Sequence, residues 1–153
     1  LFELQFVGKF LGDDVEFTRF FSSIESYFPL IGPLNYHPRV AIGISRSGLP
    51  PSEKFHIGGA ETFAGYHTDE LSGDKTFLLT NELRIKLPLR LYAAARYDLG
   101  DVYASTDDIK LSNLRHGFSA WLALDSPLGP IKFGYGINDD DLDRFYFNAG
   151  LAF

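Results

Sequence analysis

From residue 76 onward the chain alternates apolar and polar side chains with a period of two, and this pattern constrains the fold more than any other feature. Phe77, Leu79, Leu83, Ile85 and Leu87 share one face and Thr80, Glu82, Arg84 and Lys86 the other, with Asn81 the odd polar residue on the apolar side. Successive side chains of a strand point to opposite faces, so the spacing predicts strands rather than helices. The pattern recurs in Leu89, Leu91, Ala93, Ala95, Tyr97 and Leu99, then in Phe118, Ala120, Leu122 and Leu124. It continues in Ile131, Phe133, Tyr135 and Ile137, and in Phe145, Phe147, Ala149, Leu151 and Phe153. Upstream, Phe2, Leu4, Phe6 and Phe10 make a first strand, a noisier run at 15–28 a second, and Val40, Ile42 and Ile44 a third at 39–45. Pro29, Pro33 and Pro38 read as punctuation of the connection before that third strand, and Pro88 as the turn of a hairpin. The expectation is one all-β domain over residues 1–153 with about eight antiparallel strands, short connections at one end and mostly longer loops at the other.

Alternation alone leaves open which face is inside. A soluble barrel would turn the apolar face inward, a membrane barrel toward lipid. The apolar face is nearly free of charge along every strand, while the other face mixes glycines, aromatics and long charged groups of both signs, which favours an antiparallel transmembrane β-barrel with a polar lumen. Fifteen Phe and eight Tyr suit aromatic girdles, and no apolar run is long enough for a membrane helix. The absence of cysteine excludes disulfides and thiolate metal sites, and a net charge of -6 without a basic cluster argues against nucleic acid as a partner. Leu1 begins inside a strand pattern with no start methionine or signal peptide, so the chain reads as a piece of a longer protein.

One connection is far longer than a hairpin needs: the glycine-rich polar stretch 50–73, within a loop at 48–74. Gly58, Gly59 and Gly65 permit a defined path with positive φ, and Phe55, Phe63 and Tyr66 are enough to pack the loop against the polar strand face. The inward charges Glu82, Arg84, Arg90, Arg96, Asp98, Arg115 and Asp125 either line a route for polypeptide and anchor this loop, or form a structural ion-pair network that fills the lumen. Asp139, Asp140, Asp141 and Asp143 could hold a hard cation but match no EF-hand loop, and a solvated external loop is the simpler reading. The four histidines lack metal-ligand spacing, residues 43–46 lack the second glycine of a nucleophile elbow, and no phosphate loop occurs, so neither a catalytic residue nor a cofactor is expected, and the chain reads as no enzyme.

The order of short motifs adds a resemblance. Phe55-His56-Ile57-Gly58-Gly59 followed by Phe63-Ala64-Gly65-Tyr66 resembles the lumen-inserted loop of the bacterial surface antigen superfamily, the outer-membrane barrels of assembly factors and two-partner secretion translocators. Asn81-Glu82-Leu83-Arg84 resembles the strand after that loop, and Tyr97-Asp98-Leu99-Gly100-Asp101-Val102-Tyr103 the aspartate-glycine segment of the next. Ser126-Pro127-Leu128-Gly129-Pro130-Ile131 is similar to the late periplasmic turn, and Phe145, Phe147, Leu151 and Phe153 to the terminal recognition signal. The resemblance spans essentially the whole chain. It implies the carboxyl-terminal half of a 16-stranded barrel in the bacterial outer membrane that inserts or exports polypeptide, with outer-membrane lipid and lipopolysaccharide, the barrel assembly machinery and a polypeptide client or passenger as partners.

An eight-stranded barrel has a lumen that side chains fill. The long loop therefore implies an upstream barrel half, a homodimer sharing a larger barrel, or a small structural barrel without transport activity whose loop stays outside. A soluble barrel binding an apolar ligand is a further alternative. One departure from the family matters: where its loop tip carries an arginine before the Gly-aromatic pair, this chain has Ala64. In the family that arginine resembles an anchor for a strand acid matching Asp98, so Asp98 here must find another cation, Arg84 or Arg96. This variation, with Asp69-Glu70-Leu71 after the tip, resembles the patatin-like autotransporter branch, whose lipase domain would lie upstream.

Overall fold

The computed structural model describes residues 2–7, 17–46, 48–109, 114–127 and 129–150. In chain order its strands are β1 (Phe2–Val7), β2 (Phe17–Glu25), β3 (Phe28–Pro29), β4 (Leu34–Ser45), β5 (Phe55–Ile57), β6 (Leu71–Gly73), β7 (Lys75–Leu87), β8 (Leu91–Tyr103), β9 (Arg115–Ser126), β10 (Gly129–Asn138) and β11 (Asp143–Ala149). The main sheet is an antiparallel meander in the order β1-β2-β4-β7-β8-β9-β10-β11, with β3 also on β4, while β5 and β6 pair only with each other inside the long connection. Among the described residues β1 and β11 do not pair, so the sheet is an open wall. Leu151 and Phe153, expected at the end of the last strand, lie outside the described residues.

Two expectations about boundaries need correction. Pro38 does not punctuate a connection; it lies inside β4, opposite Asn81 of β7. The pairs Glu25↔Arg39 and Phe28↔Tyr36 lie in one continuous register, and the Ser26 N–H still donates to the Pro38 carbonyl at 3.1 Å. β2 and β3 are therefore one strand whose ladder is interrupted where proline has no N–H to give. Tyr27 bridges the gap by stacking on His37 with ring centroids 3.9 Å apart. The second correction concerns the hairpin after Pro88. Leu89 and Arg90 are its turn, both in the left-handed region at φ 60 and 59, and β8 starts only at Leu91. Positive φ at both central residues is the geometry that matches the twist of paired strands. It carries Arg90 off the polar face and into an exposed turn.

Burial runs opposite to that of a soluble sheet. On β7 the residues of the polar face, Thr76, Leu78, Thr80 and Glu82, are buried, while Leu83 on the apolar face is 45% exposed. The same holds along the wall, where Ile24, Ile42, Ile44, Phe118, Leu122 and Phe133 are all exposed. Cross-strand aromatic pairs stiffen this outer face, with Phe133–Phe147 at 5.0 Å, Tyr135–Phe145 at 4.8 Å and Tyr97–Phe118 at 4.9 Å between centroids. An apolar surface of this extent is incompatible with water and suited to hydrocarbon. The buried apolar clusters lie between the long connection and the wall: Ala41, Ile57, Phe63, Tyr66 and Leu78 form one, Phe17, Leu49 and Phe55 another.

A charge on the outer face tests this assignment. Leu122→Lys is expected to lower the unfolding free energy in phospholipid vesicles by about 2–4 kcal/mol, measured by denaturant titration. An unchanged value would place Leu122 away from hydrocarbon.

Candidate functional site

The long connection folds back across the polar face of the wall and makes its contacts there. Its entry is shaped by the short β5–β6 ladder, Phe55↔Gly73 to Ile57↔Leu71, which sets its two legs side by side. Between them the chain closes on itself. The Thr62 hydroxyl donates to the Gly58 carbonyl at 2.6 Å and accepts from the Gly58 N–H at 2.9 Å, and Phe63 N–H reaches the Gly59 carbonyl at 3.2 Å. After the tip, His67 N–H donates to the Glu70 carboxylate at 2.6 Å and Asp69 takes a left-handed φ of 57, so Asp69 and Glu70 close a local turn. Phe63 is wholly buried and packs edge-on to Tyr66 at 5.7 Å.

Asp98, on the inner face of β8, is the point to which the loop is fixed. It is fully buried, and its carboxylate accepts three hydrogen bonds: Oδ1 from Thr80 Oγ1 and from Arg96 Nε, each at 2.8 Å, and Oδ2 from the Ala64 N–H at 3.1 Å. Arg96 then reaches past Asp98 to the loop, donating through Nη1 to the Ala60 carbonyl at 2.9 Å and through Nη2 to the Thr62 carbonyl at 2.6 Å. Of the two cations expected to replace the missing tip arginine, Arg96 serves. Arg84 is committed to Glu82, with Nε at 3.0 Å. The tether therefore has reversed polarity: the wall supplies the guanidinium, and the tip supplies only backbone. That is why an alanine fits at position 64, itself 2% exposed.

Two further anchors hold the aromatic of the tip. The Tyr146 hydroxyl on β11 accepts from the Gly65 N–H at 2.8 Å and donates to the Tyr66 carbonyl at 3.0 Å. The Tyr66 hydroxyl donates to Asp140 at 2.7 Å and accepts from Arg115 Nη1 at 2.9 Å, and Arg115 also bonds Asp140 at 2.6 Å and Asp101 at 3.3 Å. Burial first, and then the hydrogen bond to Asp140, push the Tyr66 hydroxyl up to about 12, so it remains a proton donor throughout the physiological range. The wall accommodates the tip because it is cut back to backbone. A Cβ on Gly117 would stand 2.9 Å from the Ala64 carbonyl, and one on Gly65 (φ +88) 2.6 Å from the Asn138 nitrogen.

The sequence-derived residues thus divide. Phe55, Gly58, Gly59, Phe63, Gly65 and Tyr66 all belong to the docked loop. The inner charges do not form one network. Arg96 pairs with Asp98, Arg84 with Glu82, and Arg115 with Asp101 and Asp140, while Arg90 sits apart in its turn. The acidic run does not converge on an ion either: Asp140 turns to Arg115, Asp143 accepts from Tyr135 at 3.3 Å, and no metal-holding group of His, Asp and Glu occurs among the described residues. Phe145 and Phe147 lie exposed on the outer face of β11. Sequence reasoning missed Tyr146, Thr80, Thr62 and Trp121 as loop or network partners. For Tyr146, Thr80 and Trp121 a position on the polar face was the available signal, but a period of two cannot tell which polar residue meets the loop; Thr62 lies in the loop itself. Trp121 donates to Glu82 at 3.1 Å and lies between Arg84 and Lys132 at 5.1 and 5.6 Å.

Removing the acid leaves Arg96 buried without its counter-charge, so Asp98→Ala is expected to cost about 3–5 kcal/mol, read from denaturant unfolding in detergent. Gly65→Ala is expected to expose the tip to protease at positions silent in the parent protein, through positive φ and the approach to Asn138. An unchanged digestion pattern would show that the tip does not depend on this contact.

The chain as a whole, residues 1–153, matches the model of the family described as the Omp85 superfamily domain. It is 25% identical to the chloroplastic outer envelope protein 80 of Arabidopsis thaliana across 79% of its length, corresponding to 18% of that protein. It is 24% identical to the outer membrane protein assembly factor BamA of Nitratidesulfovibrio vulgaris across 97% of its length, corresponding to 22% of that protein. The chain therefore spans about a fifth of the length of these curated relatives. Its fold is similar to the crystal structure of BamA from Haemophilus ducreyi lacking POTRA domains 1-3, with a TM-score of 0.74 and 16% identity, covering 90% of this chain and 35% of that one. The full-length family match and the fold together make this chain a member of the Omp85 superfamily, a stretch of antiparallel outer-membrane β-barrel.

Proposed function

We propose that the chain is the carboxyl-terminal part of a larger barrel that inserts or exports polypeptide across the bacterial outer membrane, and that the docked loop braces the wall during this work. The observation that carries the reading is the tether itself. A buried carboxylate, a wall arginine and two loop carbonyls are joined in a lumen-facing site, in a family that includes an assembly factor. Removing any one partner leaves a buried polar group unsatisfied, so the loop is held in one place rather than sampling several. The role is mechanical, with no catalytic step. Outer-membrane lipid, lipopolysaccharide, the barrel assembly machinery and an unfolded client are the partners this reading requires.

The open sheet and the greater length of the relatives support a barrel completed by further strands over a small closed barrel without transport. Those strands come from the same polypeptide or from a second copy. The local turn made by Asp69 and Glu70 has its own structural account and lends the patatin-like autotransporter reading no added support.

The test is client insertion by the full-length protein reconstituted in vesicles. Asp98→Asn, which keeps the shape but weakens the tether to Arg96, is expected to slow insertion of an unfolded barrel substrate by about tenfold while the folded barrel persists. Tenfold corresponds to about 1.4 kcal/mol, the scale of one charge-assisted hydrogen bond. Insertion at the parent rate by a folded Asp98→Asn protein would remove the loop tether from the mechanism.

A further inference from the structure

The polar wall carries a second feature that the Asp98 tether does not use. On the β2–β4 side of the loop, between its first leg and the wall, lies a cavity of about 210 Å³. Its polar lining is Arg19, Arg39, His56, Thr62 and Thr76, set among apolar side chains that include Phe55, and among the described residues no carboxylate lines it. The two arginines come from neighbouring strands of the inner face.

One of the two charges is poorly compensated among the described residues. Arg39 Nε is shut off from solvent, and among the described residues it has no hydrogen-bond partner and its guanidinium no ion pair. None of the described acids that register brings near pairs with Arg39. Glu25, opposite it on β2, is about half exposed and has its carboxylate 3.5 Å from His37 Nε2. Asp98, reached along the same row through Thr80, is held by Arg96 and the loop, and Glu82 takes Arg84 and Trp121. Arg19 is paired with Glu53, its Nη1 donating to the carboxylate at 3.5 Å, and rests over the Phe55 ring at 4.6 Å. The two threonine hydroxyls are also occupied, Thr76 donating to the Asp101 carbonyl and Thr62 to Gly58. Among the described residues the cavity therefore offers the Arg39 guanidinium with little to neutralise it.

We propose that this cavity binds a small oxyanion, a phosphate or a carboxylate, with the Arg39 guanidinium as its donor and Arg19 lining the same cavity. A planar guanidinium presents paired N–H donors matched to two oxygens of such an anion. The volume exceeds that of several waters at about 30 Å³ each, enough for the anion and part of its hydration. Bound there, the anion fastens the first leg of the loop to β2 and β4. That is the side opposite the Asp98 and Tyr146 anchors, where the described polar contacts are otherwise thin.

The test is thermal unfolding of the full-length protein in detergent, titrated with inorganic phosphate and, separately, with acetate, each against sodium chloride at matched ionic strength. A saturable rise in Tm of several degrees with at least one of the two probes is expected, and whichever gives the larger rise identifies the preferred anion geometry. Arg39→Gln should lose the rise, and in anion-free buffer it should melt no lower than the parent, since it removes an uncompensated cation. Arg39→Lys, which keeps the charge without the fork, should retain part of the rise. The proposal is overturned if neither probe raises Tm beyond chloride or if the rise survives in Arg39→Gln. It is equally overturned if Arg39→Gln melts lower than the parent without anion, because Arg39 would then already have a counter-charge within the protein.

Discussion

The structure depends on one buried carboxylate. Asp98 has no access to solvent, and ionised it can be tolerated there only because Thr80, Arg96 and the Ala64 N–H all donate to it. Those donors come from two strands and the loop tip, so satisfying the acid fixes the loop against the wall in one register. The apolar clusters follow from that placement: Phe63 and Tyr66 are buried because the tip is held against Ala41 and Leu78, and Phe55 because the first leg is held near Phe17. The apolar packing on the inside of this wall is confined, among the described residues, to the two clusters that the loop covers. There the loop carries its own aromatics into a polar surface.

The tether also explains why the tip is small. From β8, Arg96 spans Asp98 and two loop carbonyls at once, so one strand side chain both satisfies the acid and holds the loop. The tip is then free to be small, and the strand opposite it must be small as well. Ala64 and Gly117 are two halves of one close approach.

Much of this was legible beforehand. The eight long strands follow from a period of two repeated along the chain, the outward apolar face from the near absence of charge on it, and Phe63, Gly65 and Tyr66 as a packed tip from their aromatics and glycines together with the family motif. The errors came where local rules met long-range pairing. Pro38 is a turn signal by itself, yet it sits in a strand because β7 pairs along its other side and Tyr27 and His37 stack across the missing hydrogen bond. Arg90 fits the alternation of β8, yet the hairpin needed two residues at positive φ and took it.

What the sequence determined by itself is which side chains share a face, since strand geometry alone sets that; the near absence of charge on one face favoured lipid there, and the burial of the other face in the structure decided it. What only the tertiary structure decided is which inner charge meets which. Glu82, Arg84, Arg96, Asp98 and Arg115 are equivalent members of one polar face in sequence, and three separate clusters in space. The reason is physical: pairing depends on inter-strand register and on where a loop of more than twenty residues comes to rest, and both are set by contacts between residues far apart in the chain.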